Sequence, residues 1–151
     1  MNSTQERQLW MATLAKAPLE NLVKAVSVLG ELPSYYHLRP PEMGLAMVRG
    51  RAGGTGQAFN LGEMTVTRCV VRIDSQEEES SVGFGYVAGR SRQHAELAAL
   101  CDALMQLPSW HEKVKTLVIE PLQAEATRQK DIQKRQTAAT KVNFFTLVRG
   151  E

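Results

Sequence analysis

Apolar residues recur at helical spacing near both ends of this chain and alternate singly through its middle. Ser3-x-x-Glu6 reads as a capping box opening a helix that carries Leu9, Trp10 and Leu14. Pro18 suits the first turn of a second helix, where its missing N–H costs nothing. Leu19, Leu22, Val23, Val26 and Leu29 make that helix's stripe, and Gly30 ends it. The spacing therefore predicts a helical hairpin over 3–30 that must lay its stripe on another element.

Between 35 and 107 the pattern predicts an antiparallel sheet followed by a helix. Tyr35 to Arg39 reads as a short strand broken by Pro40-Pro41, with further strands at Leu45–Arg51, Met64–Ile73 and Val82–Ala88. In the Met64–Ile73 strand, Arg68 and Arg72 share a face with Met64 and Val66, while Thr65, Thr67, Cys69, Val71 and Ile73 take the other. The acidic stretch from Asp74 to Ser81 reads as a solvated hairpin loop. Ser91 is placed to cap a helix whose stripe is Leu97, Leu100, Cys101, Leu104 and Met105, ending near Leu107.

Val114 to Ile119 fits either a strand or a helical turn. Pro121 then opens a segment of helix-favouring but largely polar residues to Lys141, the pattern of a helix that bridges solvent or packs on a partner. Val142, Phe144, Phe145, Leu147 and Val148 follow and read as a strand that is apolar on both faces. The fold expected is α+β in one domain, 1–151: a helical hairpin, an antiparallel sheet with packed helices, and an extended helix–strand arm over 121–151 for docking a partner.

Composition narrows the function more than the fold. A net charge of +2 gives no support for nucleic-acid binding, and no apolar run approaches the ~20 residues of a membrane span. The start of the chain lacks a signal-peptide pattern, so a cytoplasmic setting is expected, with Cys69 and Cys101 as reduced, packed thiols. Charge type is more telling. From Ala25 to His111 there is no lysine, yet Arg39, Arg49, Arg51, Arg68, Arg72, Arg90 and Arg92 all occur. Arginine forks suit planar anions and interface ion pairs.

Arg51-Ala-Gly53-Gly54-Thr55-Gly56 is the most distinctive stretch. Bare glycine N–H groups beside guanidinium forks suit phosphate or carboxylate recognition, and they equally suit a tight hairpin turn. The stretch is not a P-loop or a dinucleotide fingerprint, because no lysine follows it and strands flank it on both sides. His94-Ala95-Glu96 has the H-x-E spacing of zinc deaminases but lacks their P-C-x-x-C pair, so no metal site is expected. At the first turn of its helix His94 fits either an anion site with Arg90 and Arg92 or a hydrogen-bonded packing residue. No nucleophile–base pair and no paired acid–base carboxylates emerge, so no catalytic residue is predicted.

Taken together, these residues resemble the G subunit family of the bacterial carbon–phosphorus lyase system, PhnG. The resemblance rests on Arg7-Gln-x-Trp10-Met11, Arg51-x-Gly53-Gly54-Thr55-Gly56, Gly62-Glu63-x-Thr65-x-Thr67-Arg68 and Gly89-Arg90-x-x-x-His94-Ala95-Glu96. Asp102-Ala-Leu-Met105 and Val142-x-Phe144-Phe145-Thr-x-Val148-Arg149-Gly150 extend it along the chain. The Gln76–Ser81 loop is longer and more acidic than the family pattern.

The resemblance implies a role in organophosphonate breakdown, in a core with two copies each of G, H, I and J subunits. There G, H, I and L exchange the adenine of MgATP for methylphosphonate, giving α-D-ribose 1-methylphosphonate 5-triphosphate. The I subunit is the implied nearest partner, and MgATP is a substrate of the complex rather than a cofactor of this chain. The motif residues Arg51, Gly53, Gly54, Thr55, Gly56, Arg68, Arg72, Arg90 and His94 are candidates for contact with phosphate or with a partner. A pure scaffold subunit and a stand-alone nucleotide- or phosphonate-binding protein are the alternatives.

Overall fold

The structure is a computed structural model that describes residues 2–51, 56 and 58–149; side chains are described as far as Thr140, apart from Arg51, Ala58 and Asn60. Helix α1 (Ser3–Lys16) begins one residue earlier than the sequence pattern predicts. Asn2 is the cap: its side chain accepts from the Gln5 N–H at 2.8 Å, and Gln5 Oε1 accepts the Asn2 N–H in return. The reciprocal pair forms from Asn2 and Gln5 rather than Ser3 and Glu6, satisfying the same free N–H groups. Helix α2 (Leu19–Ser27) buries Leu22 and Val26, and the chain turns away at Gly30, whose φ of +79° lies in the left-handed region.

Strands β1 (Tyr36–Arg51), β2 (Ala58–Ile73) and β3 (Ser81–Ala88) form one antiparallel sheet in the order β1-β2-β3. The two strands expected on either side of Pro40-Pro41 are a single strand, with its register shifted between Arg39 and Glu42. The reason is position. β1 is an edge strand, where a proline's missing N–H need not break a ladder bond.

The inner face of the sheet carries Thr67, Cys69, Val71 and Ile73 of β2 with Ser81, Gly83, Gly85 and Val87 of β3, all buried. Helix α3 (Arg92–Met105) lies on it, opened as expected by Ser91, whose hydroxyl accepts the His94 N–H at 3.1 Å. Gly83 and Gly85 set how closely it lies. A methyl group at either position would overlap the carbonyl oxygen of Ala99 or Ala95. Helices α1 and α2 cover the far side of α3, so the core runs from Cys69 and Val71 through Leu100 and Leu104 to Leu14 and Leu22.

Helix α4 (Pro108–Val114), a wide π turn (Lys115–Ile119) and α5 (Glu120–Arg149) follow as consecutive helical segments. The 114–119 stretch is thus helical, and it buries Val114, Val118 and Ile119. Pro121 offers no N–H to the preceding turn, and a widened turn relieves the clash between its ring and the carbonyl four residues back.

The predicted terminal strand is overturned. The backbone from Val142 to Arg149, including Phe144, Phe145, Leu147 and Val148, is the end of α5. An established helix adds a residue without a new nucleation cost, and no glycine or proline interrupts the chain between Pro121 and Gly150. Local β propensity loses to that propagation.

Candidate functional site

Among the described residues, the sequence-predicted candidates do not converge. Arg51 pairs with Ala58 at the far end of the β1–β2 hairpin, whereas Arg68 pairs with Glu42 and Arg72 with Tyr36. Ten residues of β2 separate Ala58 from Arg68, roughly 30 Å at the rise of an extended strand. One small ligand therefore cannot touch both the Arg51–Ala58 backbone pair and Arg68. Gly56 lies in a bend between these strands, while Gly53, Gly54 and Thr55 and the side chain of Arg51 lie outside the described residues.

Arg68 and Arg72 do share the outer face of the sheet, beside the exposed rings of Tyr36, Phe84 and Tyr86. Both are engaged by carboxylates of their own chain. Arg68 Nε donates to Glu42 Oε1 at 3.1 Å, and Arg39 stands 3.7 Å from the same oxygen. Arg72 Nε donates to Asp74 Oδ1 at 2.8 Å and its Nη2 to Ser80 Oγ at 3.2 Å. The Arg72 hydrogen bond, with help from Ser80, holds the Asp74 carboxyl below its ordinary range. Such exposed pairs are weak. A stronger anion would have to displace them.

Around the start of α3 each polar group of the His94-Ala95-Glu96 motif has an internal partner. His94 is buried, and its Nε2 donates to the Leu14 carbonyl at 2.8 Å, tying α3 to α1. Glu96 reaches across to the His37 ring on β1. Arg90 and Arg92 are exposed beside it. Burial, with Asp102 as a lesser influence, pushes the Cys101 thiol up to about 12, and burial with Glu96 nearby pushes Cys69 up to about 11. Neither is a thiolate nucleophile at neutral pH. Among the described residues no group of three or more His, Cys, Asp or Glu is arranged to hold a metal ion.

The most heavily bonded polar group is one that the site prediction did not single out. Asp102 is fully buried on α3 and accepts four hydrogen bonds. Arg7 donates from Nε at 3.2 Å and Nη2 at 2.9 Å, Trp10 from its indole at 2.8 Å, and Phe84 from its backbone N–H at 2.9 Å. One carboxylate thus joins α1, α3 and the outer edge of β3, and Arg7 also lies over the Phe84 ring, 5.7 Å from its centre. The sequence signal was an aspartate set directly after Cys101 in the otherwise apolar run from Leu97 to Met105. Between α1 and the π turn lies a groove of about 230 Å³ lined by Trp10, His111, Lys115 and Glu120, on elements separate from the sheet arginines.

These surfaces define an α+β protein that presents a long hairpin, an open sheet face and a mostly exposed helix, with Arg68 and Arg72 on that face paired to carboxylates of the same chain. Residues 5–150 match the model of the family described as phosphonate metabolism protein PhnG. A protein of Rhizobium meliloti (strain 1021), alpha-D-ribose 1-methylphosphonate 5-triphosphate synthase subunit PhnG, is 42% identical over 149 residues, spanning 97% of this chain and 90% of that relative. The chain belongs to the PhnG family.

Proposed function

We propose that this chain is a subunit of an α-D-ribose 1-methylphosphonate 5-triphosphate synthase, in which MgATP and methylphosphonate are joined with release of adenine. It acts with the H, I and L subunits in the cytoplasm, and as one of two copies in a core that also holds J. The observation that carries this reading is the near full-length relationship to the Rhizobium meliloti subunit. Helix α5 supports a role in assembly. Its 30 residues extend about 45 Å at the helical rise. Leu122 is its one buried side chain among the residues described, and beyond Ile132 every described side chain is exposed.

In this reading α5 is an arm, and its final apolar run, Val142, Phe144, Phe145, Leu147 and Val148, docks against the I subunit. The internal pairing of Arg68 and Arg72 favours a scaffolding contribution from them over phosphate binding. The hairpin end from Arg51 through Gly53, Gly54, Thr55 and Gly56 is a contact point for a partner, and Arg90 is a second. Truncation after Lys141 is expected to abolish capture of the I subunit by a tagged chain while leaving its thermal unfolding unchanged. Undiminished capture by the truncated chain would overturn the arm's role.

A further inference from the structure

The two edges of the sheet are treated differently. At β3 the chain closes its own edge: Asp102 accepts the Phe84 N–H, and Gln106 Nε2 donates to the Val82 carbonyl at 2.8 Å. At β1, among the described residues, no group of the chain bonds the outer edge between Met43 and Arg49. An open edge strand is a template for another strand.

The same stretch is also the least supported part of the sheet. β3 pairs with β2 only from Val66 to Ile73, so the hairpin beyond Val66 has two strands. A two-stranded ribbon is marginal in water without something packed on it. Met43, Leu45 and Met47 alternate along one of its faces and are 45%, 69% and 55% exposed.

We propose that this edge pairs antiparallel with the same edge of a second copy, about a two-fold axis through Leu45. The occupant is indicated by the symmetry of the segment. Met43-Gly44-Leu45-Ala46-Met47 reads nearly the same in both directions. A two-fold axis perpendicular to the sheet sets Leu45 opposite Leu45, Met43 opposite Met47, and Gly44 opposite Ala46. Methionine and leucine then form one continuous apolar row across the junction, with cross-strand pairs of the kind that stabilise sheets. The next pair, Glu42 opposite Val48, brings no like charges together. Arg49 falls opposite Pro41, which has no N–H to offer, so the ladder ends where the β1 register shifts. Two sheets of three strands become one of six, and the unsupported ribbons brace each other. This pairing is independent of the enzymatic assignment, because it concerns the chain by itself.

The test is sedimentation equilibrium of the isolated full-length chain, with a crosslinking variant beside it. The wild type is expected at twice the mass of one chain at micromolar concentration. Leu45→Lys sets two cations against each other on the axis and should weaken the dimer at least tenfold, at a site too exposed to alter folding. Met43→Glu with Met47→Lys places opposite charges across the junction and should keep the dimer. Leu45→Cys should form a disulfide-linked dimer on mild oxidation, since directly opposed strand residues lie within reach of the bond. The native thiols are buried and give no background. A wild type that stays monomeric at all concentrations would overturn the proposal. So would a Leu45→Lys dimer of unchanged affinity, or a Leu45→Cys chain that forms no disulfide-linked dimer on the same oxidation.

Discussion

Asp102→Ala is expected to destabilise the chain by about 3–5 kcal/mol, as for breaking other buried ion pairs from one side. The substitution removes an acceptor that is completely enclosed and leaves the Trp10 indole N–H and the Phe84 N–H without their partner. Each unpaired donor costs about 1–3 kcal/mol when water cannot replace the lost bond. Arg7 is about a third exposed, so its guanidinium recovers hydration and adds less. Asp102→Asn should cost nearly as much, because four donors converge and the amide would turn its own N–H groups toward some of them. Thermal unfolding followed by circular dichroism reads this directly: at 2–4 °C per kcal/mol for a chain of this size, the midpoint should fall by about 10 °C. A loss under 1 kcal/mol would mean that the hub is an ornament of the fold rather than its junction.

The second large effect is expected at Gly85. A methyl group there meets the Ala95 carbonyl oxygen and crowds the Ala99 N–H, which are backbone atoms of α3 and cannot rotate away. Helix and sheet must separate, and Gly85→Ala should cost about 3 kcal/mol, the upper range for overpacking. Gly44 supplies the contrast, because a Cβ added there meets nothing within 4 Å. Gly44→Ala should be neutral or mildly stabilising, since it only reduces the freedom of the unfolded chain. Urea unfolding of both variants separates the cases. Equal stability changes would mean that the close approach of α3 to β3 is not what demands glycine at 85.

These two positions also mark what the residues alone reveal. Helix and strand patterns were legible because one buried face per element imposes its period on the sequence. Ser91, Gly30 and the β2 alternation are examples in which local chemistry and tertiary position agree. Pro40-Pro41 misled because edge and central strands look alike until the pairing order is known. The terminal run from Val142 misled because strand propensity is local, whereas helix propagation depends on the twenty residues before it.

The site was harder to read for a geometric reason. Periodicity places Arg68 and Arg72 on one face but does not give the length of the hairpin that carries Arg51 away from them. Nor does spacing reveal that Glu42, 26 residues from Arg68, and Asp74, two residues from Arg72, pair with the two arginines. Asp102 was visible as the one charged residue in the run from Leu97 to Met105. Its partners were not, because Arg7 and Trp10 lie more than ninety residues away.

The proposed subunit role makes this chain necessary for the synthase reaction and insufficient for it. The most direct measurement is adenine release from MgATP and methylphosphonate, using purified subunits with this chain present, omitted, or alone. The predicted result is turnover by the complete set, with none from the chain alone and none when it is left out. Turnover by the chain alone, or undiminished turnover by its partners without it, would contradict the account.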